Sequence, residues 1–189
     1  MNRRELLTMI MSATGYAMVG SPVLLAGCTS ASGARNTGNL SSDPNVSPLI
    51  AEIAETIIPR TDTPGAKDAA VAPFMIKIVE DCYDSEDRTV FYQGLEAFRE
   101  LCQVRFGQDF AELSDQQRTE FLRELDQVAR SYPRAPDSPV HYFVMLKQLT
   151  LFAYFTSEIV QTQVLRLVPV PGRYDGCYPY QKGDTAWAI

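Results

Sequence analysis

The stretch SEDRTVFYQGLEAFRELCQVRFG, residues 85–107, decides the fold. Val90, Phe91, Gly94, Leu95, Phe98, Leu101, Cys102, Arg105 and Phe106 recur at intervals of three and four, and only Arg105 among them is polar. With 3.6 residues per turn, that spacing puts them on one face of an α-helix, whereas a strand would alternate at every second residue. The reading predicts a helix beginning after Ser85, with Glu86 and Asp87 at its positive end and Gly107 ending it.

The same period extends in both directions. Upstream, Leu49, Ile50, Ile53, Ala54, Ile57 and Ile58 form a stripe, with Ser47 as the expected cap, Pro48 at the first helical position and Pro59 as the stop. Asp62-Thr63-Pro64-Gly65 is a turn signal, proline presetting φ and glycine tolerating what other residues do not. A second helix is predicted over Pro73 to Tyr83, with Phe74, Ile76, Ile78 and Val79 partly inward.

Downstream, Ser114 with Gln117 three residues on reads as a capping box, opening a helix that buries Phe121, Leu122, Leu125 and Val128. Ser131 to Pro139 contains three prolines and reads as a loop. A last helix is predicted from about Val140 to Leu167. It is apolar on most faces through Tyr142, Phe143, Met145, Leu146, Leu149, Leu151, Phe152, Tyr154 and Phe155. Such a helix lies at the centre of a bundle or is half covered by a partner. From Pro169 onward, proline, glycine and aromatic residues follow with no period, an extended segment that needs a surface to lie on. The fold class expected is all-α: a compact bundle of about five helices with an extended Pro/Gly/aromatic-rich tail.

Composition narrows the function. The 189 residues, 46% hydrophobic and 21% charged, suit one domain with a real core. A formal charge of −6, with no basic run after the first ten residues, excludes a nucleic-acid partner. No nucleophile elbow, P-loop or dinucleotide fingerprint is present. His141 is the one imidazole and has no cysteine or carboxylate cluster at metal-ligand spacing, so it reads as a surface or helix-start residue. Glu80, Asp81, Asp84, Glu86 and Asp87 straddle a helix junction, where helix dipole and solvation account for them better than calcium does.

The first residues read as an address. Arg3 and Arg4 precede an uncharged run from Leu6 to Cys28, the pattern of a secretory leader, and the arginine pair resembles a twin-arginine export signal. The leader closes Leu25-Ala26-Gly27-Cys28, similar to the lipobox at which bacterial lipoproteins are cleaved and acylated. An uncleaved anchor, or simple cleavage near Ala26, are the other readings. The organisation expected is a signal peptide over 1–27, a flexible tether rich in Ser, Gly, Asn and Thr over 28–47, and a helical domain over 48–189. Removal of the leader makes the exported body one unit more acidic. With Cys28 lipidated, three cysteines remain in an oxidising compartment. Cys82 and Cys102 could pair or stay buried thiols; Cys177, in the irregular tail, is the candidate for a bridge to another chain, against a buried free thiol.

Three segments together resemble a known family. They are Ala54-Glu55-Thr56-Ile57-Ile58-Pro59-Arg60-Thr61-Asp62-Thr63-Pro64-Gly65-Ala66, then Leu149-Thr150-Leu151-Phe152-Ala153-Tyr154-Phe155-Thr156-Ser157-Glu158, then Val168-Pro169-Val170-Pro171-Gly172-Arg173-Tyr174-Asp175-Gly176-Cys177. In this order, over about Leu49 to Trp187, they look like the gluconate 2-dehydrogenase subunit 3 family. The resemblance implies a non-catalytic small subunit with no cofactor of its own. Its partner would be an FAD-dependent oxidoreductase of the glucose-methanol-choline class that oxidises a sugar or polyol, often joined by a multihaem cytochrome c. The large subunit of such complexes commonly lacks an export signal and crosses folded, flavin inside, on the small subunit's twin-arginine leader. The place expected is the periplasmic side of a bacterial membrane, held by a lipid anchor.

The contact with that partner is expected on Phe152 and Phe155 and on the tail. Gly172, Arg173, Tyr174, Asp175 and Cys177 would form its main part, and wrapping would bury Tyr174, Tyr178, Tyr180 and Trp187. A tail folded back over its own helices is the competing arrangement. A stand-alone helical lipoprotein that binds a ligand in a cleft is the alternative function, and an enzyme the third.

Overall fold

The computed structural model describes residues 43–133, 139–170 and 172–188, all within one compact unit, Gly38–Ile189. Arg3, Arg4, Cys28, the tether up to residue 42, residues 134–138 of the proline-rich loop, and Pro171 lie outside the described residues. Six α-helices are described: α1 Val46–Ile57, α2 Val71–Cys82, α3 Ser85–Phe106, α4 Asp115–Ser131, α5 Tyr142–Thr156 and α6 Glu158–Gln163. A 3-10 turn, Phe110–Glu112, joins α3 to α4. Two short strands, β1 Arg166–Leu167 and β2 Trp187–Ala188, pair in parallel. The chain is the all-α bundle its periodicity implies.

α5 is the centre of the bundle. It packs against α1, α2, α3, α4 and α6, burying Phe143, Met145, Leu146, Leu149, Thr150, Ala153 and Tyr154. Thr150 stays inside because its hydroxyl donates to the Leu146 carbonyl at 2.8 Å, leaving no orphaned polar atom. Against α5 lies the stripe of α3, where Phe91, Gly94, Leu95, Phe98 and Cys102 are buried. Gly94 is there for room: a Cβ would come within 2.1 Å of the Tyr142 ring. Burial of that ring pushes the Tyr142 hydroxyl up to about 12. Phe98 meets Phe110 at 5.1 Å and Phe121 at 5.2 Å between ring centres, edge-on or tilted as aromatic quadrupoles prefer.

Several local expectations are corrected. Asp84, not Ser85, caps α3, its carboxylate accepting from the Glu86 and Asp87 amides at 3.0 and 2.8 Å. α1 starts at Val46 after Asn45, so Ser47 is already helical and Pro48 sits within the first turn, where its missing N–H costs nothing. α2 starts at Val71 and buries Val71, Ala72, Met75 and Val79. Phe74, expected partly inward, is 40% exposed. Leu101 and Arg105 at the end of α3 are exposed, the Arg105 guanidinium paired with Glu124 of α4. In α4, Val128 is 55% exposed and Ala129 takes the inward place.

The long last helix also breaks. Ser157 is extended, its hydroxyl donating to the Tyr154 carbonyl at 2.7 Å and accepting from the Val160 amide at 3.4 Å. A serine that serves both neighbours ends one helix and caps the next.

Candidate partner-binding surface

A helix apolar on most faces buries one side and presents the other. On α5 the outward residues Leu151, Phe152 and Phe155 are 41%, 52% and 46% exposed. Phe74 of α2 extends the patch, its ring centre 6.0 Å from that of Phe152. Four large apolar side chains thus share one face, with no charged residue of α5 among them. The sequence placed Phe152 and Phe155 here and missed Phe74 and Leu151. The spacing of Val71, Ala72, Met75 and Val79 held the missing signal: that stripe points Phe74 outward.

Beside this face lies the α1–α2 connection, Ile58 to Ala70, and it is tightly held. The Glu55 carboxylate of α1 accepts from two backbone amides, Arg60 at 2.9 Å and Lys67 at 2.8 Å. Asp68 accepts from the Gly65 amide at 2.9 Å and pairs with the Arg60 guanidinium at 3.2 Å. From α5 the buried Tyr154 donates its hydroxyl to the Pro64 carbonyl at 2.6 Å. The Ala66 amide donates to the Ile58 carbonyl at 3.0 Å, and the Ala66 side chain is buried. Gly65 fits under Glu55 so closely that a Cβ would stand 2.4 Å from its carboxylate oxygen and 2.8 Å from the Arg60 amide nitrogen.

The tail is built differently. Its far end returns to the end of α6, where Trp187 and Ala188 pair with Arg166 and Leu167. The Arg166 guanidinium lies 4.1 Å from the centre of the Trp187 ring and donates to the Tyr178 hydroxyl at 3.0 Å. Tyr178 meets Trp187 edge-on at 5.3 Å. These groups, with Tyr180 and Asp184, line a cavity of about 590 Å³. Between the two ends the chain lies open: Gly172, Arg173, Tyr174, Asp175 and Cys177 are all exposed, Tyr174 at 96%. The tail therefore folds back at its end only.

The cysteines divide the same way. Cys102 is a buried thiol against the Gln108 carbonyl, 3.5 Å away; burial, and then the Asp109 carboxylate, push it up from its ordinary range. Cys82 and Cys177 are free and exposed, so Cys82 and Cys102 do not pair. His141 caps α5, its Nδ1 accepting from the Phe143 amide at 3.2 Å. Of the acidic cluster, Asp84 caps α3 and Glu80 accepts from the Tyr92 hydroxyl at 2.5 Å. No group of three or more His, Cys, Asp or Glu among the described residues is arranged to hold a metal ion. No described helix is long and apolar enough to cross a membrane.

Fold and surface together define the class: a small helical domain whose central helix carries an uncovered aromatic face. The profile of gluconate 2-dehydrogenase subunit 3 matches residues 46–172, and the chain belongs to that family. By its name the family is that of a subunit of a dehydrogenase complex. The match runs from the first residue of α1 to Gly172, so Arg173 to Trp187 lie beyond it. Comparison with curated proteins and with solved structures gives no match.

Proposed function

We propose that this chain is the non-catalytic small subunit of a periplasmic FAD-dependent dehydrogenase of the glucose-methanol-choline class, one that acts on a sugar or polyol. It escorts the folded catalytic subunit through twin-arginine export on Arg3 and Arg4, then holds it at the membrane through lipid on Cys28. Flavin is loaded in the cytoplasm, which is why a route for folded cargo is needed. A multihaem cytochrome c forms a third subunit in some such complexes. The observation that carries the reading is the aromatic face of Phe74, Leu151, Phe152 and Phe155, left open by the bundle's own central helix in a member of a dehydrogenase-subunit family.

In this reading the large subunit covers Phe152 and Phe155. The open part of the tail, Gly172, Arg173, Tyr174, Asp175 and Cys177, would lie along it, with Tyr178 and Trp187 at the tail's base, and a bridge would form from Cys177, whose thiol is free and exposed. Purification of the tagged chain from native membranes tests this, with a flavin spectrum and gels run with and without reductant. A flavin-bearing partner several times its mass is the expected result, with a band that splits under reduction if Cys177 bridges. A colourless chain recovered alone would end the reading and leave a stand-alone lipoprotein binding module in its place.

A further inference from the structure

The tail is a loop whose two ends are fastened to each other, and the fastening is made of few groups. The Arg166 amide donates to the Ala186 carbonyl at 2.8 Å, and the Val168 amide to the Ala188 carbonyl at 3.3 Å. The Arg166 guanidinium lies 4.1 Å from the centre of the Trp187 ring and 5.8 Å from that of Tyr178, whose hydroxyl it also contacts. Three side chains thus close a neck: Arg166 just beyond α6, Tyr178 within the loop, and Trp187 on the returning arm.

The loop's other contacts are also its own. The Gln181 amide donates to the Asp184 carboxylate at 2.8 Å and the Asp184 amide to the Gln181 carbonyl at 3.0 Å, with Gly183 between them at a φ of 103°. The Asp175 carboxylate accepts from the Cys177 amide at 3.2 Å. From Pro169 to Trp187 every described residue is exposed, so the helices do not set this shape. The neck does much of it. The ends of a free chain of about twenty residues lie roughly 25 Å apart, whereas paired strands lie about 5 Å apart. A segment already closed has that much less freedom to lose when a surface binds it.

From this we infer that the tail docks on the catalytic subunit as a closed loop with its neck intact, and that Arg166, Tyr178 and Trp187 are positioning residues that hold the loop in its docking shape. The inference rests on the proposed function above and adds how the tail meets the partner: ready-made, rather than drawn out as a single strand.

The test replaces the tagged full chain in its native cells and reads flavin recovered per mole of small subunit. Trp187 is the chain's one tryptophan, so emission from the isolated chain reports the state of the neck. Arg166→Ala is expected to shift that emission to the red and to lower flavin recovery several-fold, with the melting temperature unchanged. Arg166→Lys, which keeps a cation by the rings, should restore part of the flavin. The pair Leu167→Cys and Ala188→Cys, at register partners of the two strands, locks the neck by a disulfide confirmed by peptide mass. The locked chain is expected to recover as much flavin as wild type. Loss of flavin in the locked chain, but not with Leu167→Cys alone, would show that the tail opens to dock and overturn the inference. So would Arg166→Ala with wild-type emission, or with a red shift and full flavin; in each case a flavin-bearing wild type leaves the proposed function standing. A wild-type chain that brings no flavin overturns both.

Discussion

Two of the described segments outside the helices contain both proline and glycine, and they are held in opposite ways. In the α1–α2 connection, side chains from α1 and α5 reach in and satisfy the backbone: Glu55 takes two amides, and Tyr154 gives its hydroxyl to Pro64. In the tail the internal contacts gather at the ends, in the β1–β2 pair and the Arg166–Trp187 stack, and the chain between lies in solvent. Composition does not separate the two. What orders an irregular segment is whether neighbouring helices supply partners for its amides and carbonyls. The connection belongs to the bundle; the tail is a loop tied at its neck.

A matched pair of glycines tests that contrast most severely. Gly65→Ala would drive a Cβ to 2.8 Å from the Arg60 amide nitrogen and under the Glu55 carboxylate, so backbone must move. We expect a loss of about 2 kcal/mol in urea unfolding. Gly176→Ala meets only the tip of Tyr174, itself 96% exposed, which can swing away. Its expected effect is within about 0.5 kcal/mol. Equal losses at the two glycines would mean that the tail is as tightly built as the connection.

Smaller changes sharpen the picture. Tyr154→Phe removes one hydroxyl and keeps the ring in the core, for an expected loss of about 1 kcal/mol. Amide exchange should quicken at Ala66 and Val71, whose amides donate to the carbonyls of Ile58 and Ala66, and not in α3. Arg166→Ala, at the neck of the tail, is expected to leave unfolding within about 0.5 kcal/mol of wild type. Limited proteolysis between Val168 and Ala186 should nonetheless speed up. Unchanged or slower cleavage would show that the stack does not close the neck, and a large stability loss that it holds more than the neck.

How far the sequence could be read follows the same division. The stripes of α1, α3 and α4 were legible because a helix that buries one face must repeat every 3.6 residues. The capping box at Ser114 was legible because its partners lie three residues apart. The break at Ser157 was hidden, since a serine between apolar runs also fits a continuous helix. Phe152 and Phe155 could be named as surface because α5 is apolar beyond what one buried face requires, yet Phe74 joins them only through tertiary packing. The clamp by Glu55 and Tyr154 was invisible for a related reason. Tyr154 and Pro64 lie 90 positions apart, and no local pattern links them. The return of Trp187 to Arg166 is likewise a long-range pairing with no periodic trace.

One more expected effect lies at the far end of the helix that holds the connection. Burial keeps His141 below its ordinary value of 6.5, and its Nδ1 must stay unprotonated to accept from the Phe143 amide. The folded state thus prefers neutral histidine, and the unfolded chain takes up the proton first. The contribution to stability is complete above about pH 6.5 and is lost as pH falls through the lowered folded value. A positive charge at a helix N-terminus adds to the loss. Melting temperature should therefore slip by a few degrees between about pH 7 and about pH 5. Asp43 is held below the usual carboxylate range by the Asn45 amide, and Asp126 by Lys147, so both titrate beneath that window. His141→Asn keeps a capping acceptor without a titrating ring and should flatten the slope. Tyr154 sits about 20 Å along α5 from the cap, so exchange at Ala66 should not follow the acid step. If it does, the two ends of α5 open together, and the clamp on the connection depends on the helix as a whole.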